Sequence, residues 1–97
     1  MTRLVVSRRA TSDLLAIWDY IALDNEQAAS RLVAAIDEKF VLLRELPEMG
    51  VPRPDVHPEF RALVHGAYLI LYEFHPGDDL VEIVAVLHGM RDLPEAL

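Results

Sequence analysis

Two short turn sequences divide the last third of the chain into three apolar runs, and this division strongly constrains the fold. Gly66-Ala67 fits a two-residue hairpin turn, and the residues from Pro76 to Asp79 supply a second turn. The runs between them are rich in Val, Ile, Leu and Tyr, which favours β-strands. The predicted strands are Arg61 to His65, Tyr68 to His75 and Leu80 to His88.

The turns also predict which side chains share a face of the sheet, because directly opposed residues point to the same side. The first turn places His65 opposite Tyr68 and Arg61 opposite Tyr72, and the second places His75 opposite Leu80. This register adds Val81, Ile83, Ala85 and Leu87 to the face of Arg61, and Val84, Val86 and His88 to the other. It also opposes Glu73 to Glu82, which is unfavourable away from water. Both faces are then largely apolar.

The first half of the chain predicts one strand and two helices. Arg3 to Val6 is typical of a short strand, and Ser7 is a good N-cap for the helix that follows. Apolar residues at steps of three and four predict one helix to Leu23 and a second that stops at Pro47 and Gly50. The short connection between them predicts an antiparallel helical hairpin.

One helical hairpin can cover only one face of the sheet. A partner chain or a second copy could meet the other face. The alternative is that the first strand, the C-terminal tail and the segment from Pro47 to Phe60, which holds four of the six prolines, cover it. The sequence leaves both arrangements open.

Composition narrows the function classes. Ninety-seven residues fit a single domain, 1–97, and the absence of cysteine excludes disulfides, thiolate zinc sites and a cysteine nucleophile. A net charge of −7 disfavours direct binding to nucleic acid and favours a protein partner. The apolar runs are too short to span a membrane and no signal peptide precedes them, so we expect a cytoplasmic protein.

Few residues suggest catalysis. The four histidines lack the spacing of a metal site, and we expect neither a metal nor a cofactor. The hydroxyl residues lie near helix starts or on exposed helix, where capping explains them better than nucleophilic catalysis does. The best polar cluster is Arg61, His65, His88 and Arg91. Such groups could perform the acid–base chemistry of a nuclease or could serve structural contacts.

Several segments resemble the RelE/ParE superfamily of bacterial toxins, and specifically its ParE branch. The resemblance covers nearly the whole chain and rests on an ordered set of segments, of which 83–92, Ile-Val-Ala-Val-Leu-His-Gly-Met-Arg-Asp, is the most specific. The others are Ser7-Arg8-Arg9-Ala10, Asp13 to Ile21, Leu46 to Gly50, Arg61, and Gly66 to Tyr72. It implies an α+β fold in the order β-α-α-β-β-β, with the helical hairpin packed on a mostly antiparallel sheet.

The resemblance also implies a function. ParE-like toxins are generally understood to poison DNA gyrase, and a ParD-like antitoxin neutralises them by wrapping an apolar groove; DNA is contacted only through the antitoxin complex. RelE-like toxins instead cut messenger RNA in the ribosome, and they carry an arginine where this chain has Leu69. We therefore expect a binding toxin and not an enzyme. A ribosome-dependent endoribonuclease and an inactive toxin retained in an antitoxin complex are the alternatives.

The candidate sites follow from this interpretation. For contact with the target, or for the conformation that supports it, the candidates are Arg61, His88 and Arg91. For the antitoxin, the candidates are Leu14, Ile17, Trp18, Ile21, Leu69, Leu71 and Val84. Tyr20 is a further exposed candidate, and no residue is assigned a catalytic role.

Overall fold

The chain forms two helices packed on one mixed β-sheet. The computed structural model describes residues 2–89, so Arg91 and the rest of the C-terminal tail lie outside the described residues. The elements are β1 Arg3–Val6, α1 Arg8–Ala22, α2 Glu26–Glu45, β2 Val51–Pro52, β3 Phe60–His65, β4 Tyr68–His75, a 3₁₀ turn Pro76–Asp78 and β5 Leu80–His88. The predicted α+β order is confirmed, with β2 added between the helices and the meander.

The sheet has the strand order β1-β5-β4-β3-β2. Its neighbouring strands are antiparallel except for β1 and β5, which run parallel. The first and last strands of the described chain are therefore neighbours. In the part of the chain that the structure describes, no helix has the length and apolar character needed to cross a membrane.

Side-chain caps start both helices. The Ser7 hydroxyl accepts a hydrogen bond from the Ala10 backbone N–H at 3.0 Å, and the Asn25 side chain accepts one from Ala28 N–H at 2.9 Å. These caps satisfy backbone donors that the first helical turn leaves free. Two capped helices joined by a short turn form the predicted antiparallel hairpin.

The predicted strand pairs are confirmed at both turns, but the register changes in between. His65 pairs with Tyr68 and His75 with Leu80. The ladder between β4 and β5 shifts beside Leu71, so that Val84 is the extra residue of a β-bulge. One extra residue inverts the alternation of side chains beyond it. The predicted faces of Ala85, Val86, Leu87 and His88 are therefore wrong and are exchanged.

Each face of the sheet has its own apolar core. On the helix side, the buried residues include Ala10, Ile36, Phe40, Leu43, Ile70, Tyr72, Val81, Ile83 and Val86. On the opposite side they are Ala62, Leu71, Ala85 and Leu87, against which Val56, Phe60, Leu69 and Val84 pack. Val56 and Phe60 come from the proline-rich segment and its end, so the chain covers part of its second face itself.

Candidate functional site

Leu14 and Trp18 line an open apolar groove between the two helices. The groove measures about 350 Å³, and Thr11, Leu15 and Val33 complete its lining; these five residues are the helix groove. The Trp18 indole N–H donates a hydrogen bond to the Ser30 hydroxyl at 3.2 Å, which holds the ring across the hairpin. Leu15 is 62% exposed, so this surface is open to a partner.

The other two predicted residues of α1 lie elsewhere. Ile17 packs against the helix-side core and contributes to the fold. Ile21 lies in a separate depression of about 550 Å³ at the tip of the hairpin, beside Tyr20 and Leu23. Tyr20 is 66% exposed, as predicted. Leu14 and Trp18 therefore line one groove, and Ile21 lines a different depression about one turn further along α1.

The three predicted strand residues lie on the side of the sheet away from the helices. Leu71 is 0% exposed, and Leu69 and Val84 are half-buried against the same cluster. We call these three residues the sheet patch. Because the helix groove and the sheet patch lie on opposite sides of the sheet, one partner could contact both only by wrapping around the chain.

Arg61 holds the loop that follows α2. Its guanidinium donates hydrogen bonds from Nη1 to the carbonyl oxygens of Gly50, at 2.8 Å, and Glu48, at 3.1 Å. Nη2 also lies 3.9 Å from the Glu48 carboxylate. Because the Arg61 guanidinium is hydrogen-bonded to two backbone carbonyls of this loop, Arg61 fixes the conformation of residues 47–50.

Tyr72, opposite Arg61 in the sheet, binds the same loop. Its hydroxyl donates to the Pro47 carbonyl at 2.7 Å and accepts from the Gly50 N–H at 2.8 Å. A Cβ at Gly50 would lie 2.7 Å from this hydroxyl, so glycine permits the close approach. Arg61, Tyr72 and the backbone of 47–50 are the Arg61 clasp.

The electrostatics of the clasp favour a neutral phenol. Burial raises the pKa of Tyr72 above its ordinary value of 10.0, while the Gly50 hydrogen bond and the Arg61 charge act in the opposite direction. A neutral hydroxyl can donate and accept at once, which is what the two backbone contacts require.

The Arg61 side chain is 26% exposed. It also lines a cavity of about 300 Å³ with Glu48 and Glu59.

The two histidines of the predicted polar cluster lie at one end of the sheet, on either side of Tyr68, and Arg61 lies further along β3. His65 and His88 both pair with Tyr68, and the Tyr68 and His88 rings meet edge to face with centroids 5.4 Å apart. Arg61 lies four residues back along β3 and two strands from β5, which puts its backbone about 16 Å from that of His88. Arg91 lies outside the described residues.

Three features of the site were missed at the sequence level. The Arg61 clasp depends on the path of an irregular loop. Leu15 lies beside the apolar stripe of α1 rather than on it, although the Thr11, Leu15, Trp18 spacing of four and three could have indicated the groove. Val33 lies on the predicted stripe of α2, but its part in the groove was not foreseen.

Comparisons with known proteins identify the family and the fold. A family model described as ParE toxin of type II toxin–antitoxin system, parDE, matches residues 4–93. A search of curated proteins found no match. Among solved structures, the chromosomal ParDE system from P. aeruginosa is similar with 25% identity and a TM-score of 0.76, covering 91% of this chain and 96% of that one.

Two RelBE toxin–antitoxin complexes share the fold. The RelBE2 complex from Mycobacterium tuberculosis gives 24% identity and a TM-score of 0.70, with 90% of each chain covered. The intact RelBE complex from E. coli gives 16% identity and a TM-score of 0.70, with 94% of this chain and 100% of that chain covered. The same architecture therefore occurs in both branches of these toxins.

Proposed function

Because this chain belongs to the ParE toxin family of type II toxin–antitoxin systems, we propose that it inhibits DNA gyrase by binding and that a ParD-like antitoxin neutralises it. The observation that carries the choice of binding over catalysis is the position of Arg61. Its guanidinium is engaged by two backbone carbonyls at 2.8 and 3.1 Å. Arg61 thus supports the shape of the 47–50 loop, which is the surface that we assign to the target.

The histidines also favour binding. General acid–base catalysis needs the acid, the base and a charge-stabilising group within hydrogen-bond reach of one substrate. His65 and His88 lie on either side of Tyr68 with backbones about 10 Å apart, whereas the backbone of Arg61 is about 16 Å from that of His88. The Arg61 guanidinium is bonded to the 47–50 backbone instead of lying beside these histidines, which supports binding over phosphate cleavage.

Charge and the sheet patch support the same proposal. A chain with net charge −7 is a poor ligand for ribosomal RNA, whose phosphates demand Lys and Arg contacts. Leu69, at the position where RelE-like toxins have an arginine, is half-buried against an apolar cluster. The aliphatic side chain packs there instead of facing a phosphate.

The helix groove is our proposed docking site for a helical segment of the antitoxin. It is lined by Leu14, Leu15, Trp18 and Val33, whose apolar surfaces fit the apolar stripe of an amphipathic helix. The sheet patch would take a second, extended segment. Leu71 is 0% exposed, so within this patch Leu69 and Val84 carry the contact.

Pulse labelling of bacteria after induced expression tests the target. We expect thymidine incorporation to stop before methionine incorporation, and purified toxin to inhibit gyrase supercoiling. Arg61→Ala should weaken both effects because the 47–50 loop loses its support, whereas Arg31→Ala, on an exposed position of α2, should not. An early fall in methionine incorporation, with RNA cleavage that Arg61→Ala abolishes, would instead identify a ribosome-dependent nuclease.

A pair of exposed substitutions tests the docking site. Leu15→Arg places a charge in the helix groove, and Val41→Arg makes the same change at a position of α2 that is 56% exposed. We expect both variants to remain folded and toxic, and only Leu15→Arg to escape neutralisation by a co-expressed ParD-like antitoxin. Equal neutralisation of the two variants would show that the antitoxin docks elsewhere.

A further inference from the structure

Three side chains with metal-binding atoms converge near the turn between β4 and β5. Glu73 and Glu82 are direct partners across the two strands, and His75 follows two residues after Glu73 on the same side. His75 Nε2 lies 3.1 Å from Glu73 Oε2 and 3.8 Å from Glu82 Oε1. One ligand atom from each residue lies within 4.8 Å of the other two. We call these residues the Glu-His-Glu cluster.

A cation would stabilise the two opposed carboxylates of the cluster. Like charges directly opposed on neighbouring strands destabilise a sheet. Among residues 2–89, the basic side chains within 4.0 Å of the Glu73 carboxylate are His57 and His75, and the one within 4.0 Å of the Glu82 carboxylate is His75. Neither carboxylate forms an ion pair with a described arginine or lysine, so a bound cation would reduce their repulsion.

The exposure of the cluster suits an ion that enters from solvent. The side chains of Glu73, His75 and Glu82 are 19%, 36% and 41% exposed. They are therefore held by the sheet while one side of the cluster stays open to water. Water could complete the coordination that three protein ligands leave unfilled.

We propose that the Glu-His-Glu cluster binds one divalent transition-metal ion of the zinc type. Zinc binds imidazole nitrogen at 2.0–2.1 Å and carboxylate oxygen at 2.0–2.2 Å, which separates the donor atoms of a tetrahedral site by about 3.3 Å. The imidazole–carboxylate separations of 3.1 and 3.8 Å are near this value, and the ligand oxygens of Glu73 and Glu82, within 4.8 Å of each other, would have to move closer by ~1.5 Å at most. Calcium and magnesium prefer sites made of oxygen alone, so the imidazole selects against them.

His57 lies beside the cluster but outside the ligand set. Its Nδ1 is 3.9 Å from Glu73 Oε1, yet the same nitrogen accepts a hydrogen bond from the Glu59 N–H at 3.3 Å. Its ring packs on Phe60 with centroids 4.6 Å apart. The bound ion would cross-link β4 and β5 through Glu73, His75 and Glu82 alone.

Calorimetric titration of the full chain with Zn²⁺ alone tests the proposal. We expect one saturable site and a Tm that rises with zinc and falls back when a chelator is added. His75→Gln and Glu82→Gln should each weaken binding ~10-fold or more. His65→Gln, a matched change on β3, should leave it unchanged. Absence of saturable binding, or equal binding by all four proteins, overturns the proposal.

Two further readouts keep the test decisive if a variant unfolds. Imidazole ¹⁵N signals of the wild-type chain should move for His75 on zinc addition and stay in place for His65. Without metal, Glu82→Gln should be at least as stable as wild type, because it removes the opposed charge. Zinc-induced shifts that spare His75 would refute the assignment without any variant.

Discussion

Tyr72→Phe isolates the contribution of the Arg61 clasp. The Tyr72 side chain is 0% exposed, and its hydroxyl makes two backbone hydrogen bonds, at 2.7 and 2.8 Å. Phenylalanine keeps the ring but leaves the Gly50 N–H and the Pro47 carbonyl without these partners. A buried polar group left unsatisfied costs roughly 1–3 kcal/mol, so we expect the free energy of unfolding to fall by about 2–3 kcal/mol.

The assay is urea unfolding of wild type and variant, supported by thermal melts. A loss of this size lowers the Tm of a domain this small by about 8–24 °C, and the denaturant m-value should not change. Tyr20→Phe is the matched control. Because Tyr20 is 66% exposed, we expect this variant to lose less free energy of unfolding than Tyr72→Phe. A loss below about 0.5 kcal/mol for Tyr72→Phe would refute the clasp as a stabilising contact.

The same variant has a pH signature. Burial raises the pKa of Tyr72 above 10.0 in the folded chain, so the folded state holds the phenolic proton more tightly than the unfolded state does. This stabilisation is fully present below pH 10 and is lost as pH rises through the raised pKa. The stability gap between wild type and Tyr72→Phe should therefore narrow at alkaline pH. A gap that stays constant there would contradict the raised pKa.

Three other substitutions should destabilise the chain, each measured by urea unfolding. Gly50→Ala places a Cβ 2.7 Å from the Tyr72 hydroxyl, and we expect a loss of about 1–3 kcal/mol; wild-type stability would show that the loop relaxes freely. Ser7→Ala removes the cap of α1 and should cost about 1–2 kcal/mol, with Ser7→Thr as the control that keeps the hydroxyl. Asp13→Ala leaves the Val86 N–H, now bonded at 2.9 Å, without its acceptor, whereas Asp13→Asn should retain most of the stability. Equal losses for Ala and Asn would assign the effect to charge instead.

The order and ends of the strands were accessible from sequence because turn residues mark them. Gly66 adopts a positive φ of 57°, a conformation that glycine accepts readily, and the predicted pair across this turn is present. The bulge was not accessible. Residues 83–87 are all apolar, so their pattern cannot show a slip of one residue that moves Ala85 to the other face.

The sites were only partly accessible for a related reason. Helical spacing identified Leu14 and Trp18, but it could not show that Leu14, which packs against the helix-side core as Ile17 does, also lines the groove. The contact from Arg61 to Gly50 spans a loop with little regular structure, and no periodic pattern encodes it. The opposed Glu73 and Glu82 were visible in the register, yet grouping His75 with them needed the positions of the side chains.

The parallel pairing of β1 with β5 has a consequence for the order in which the protein can be made and folded. Arg3 pairs with Leu80, and the Ser7 hydroxyl donates to the Val84 carbonyl across 77 residues of sequence. During synthesis, β1 therefore remains unpaired until β5 has been translated. Contacts of such high sequence separation form slowly, because the entropy cost of closing a long loop comes before the stabilisation that the contacts provide. A nascent chain that ends before β5 lacks the strand that lies between β1 and β4, so the complete sheet assembles only after β5 has been synthesised.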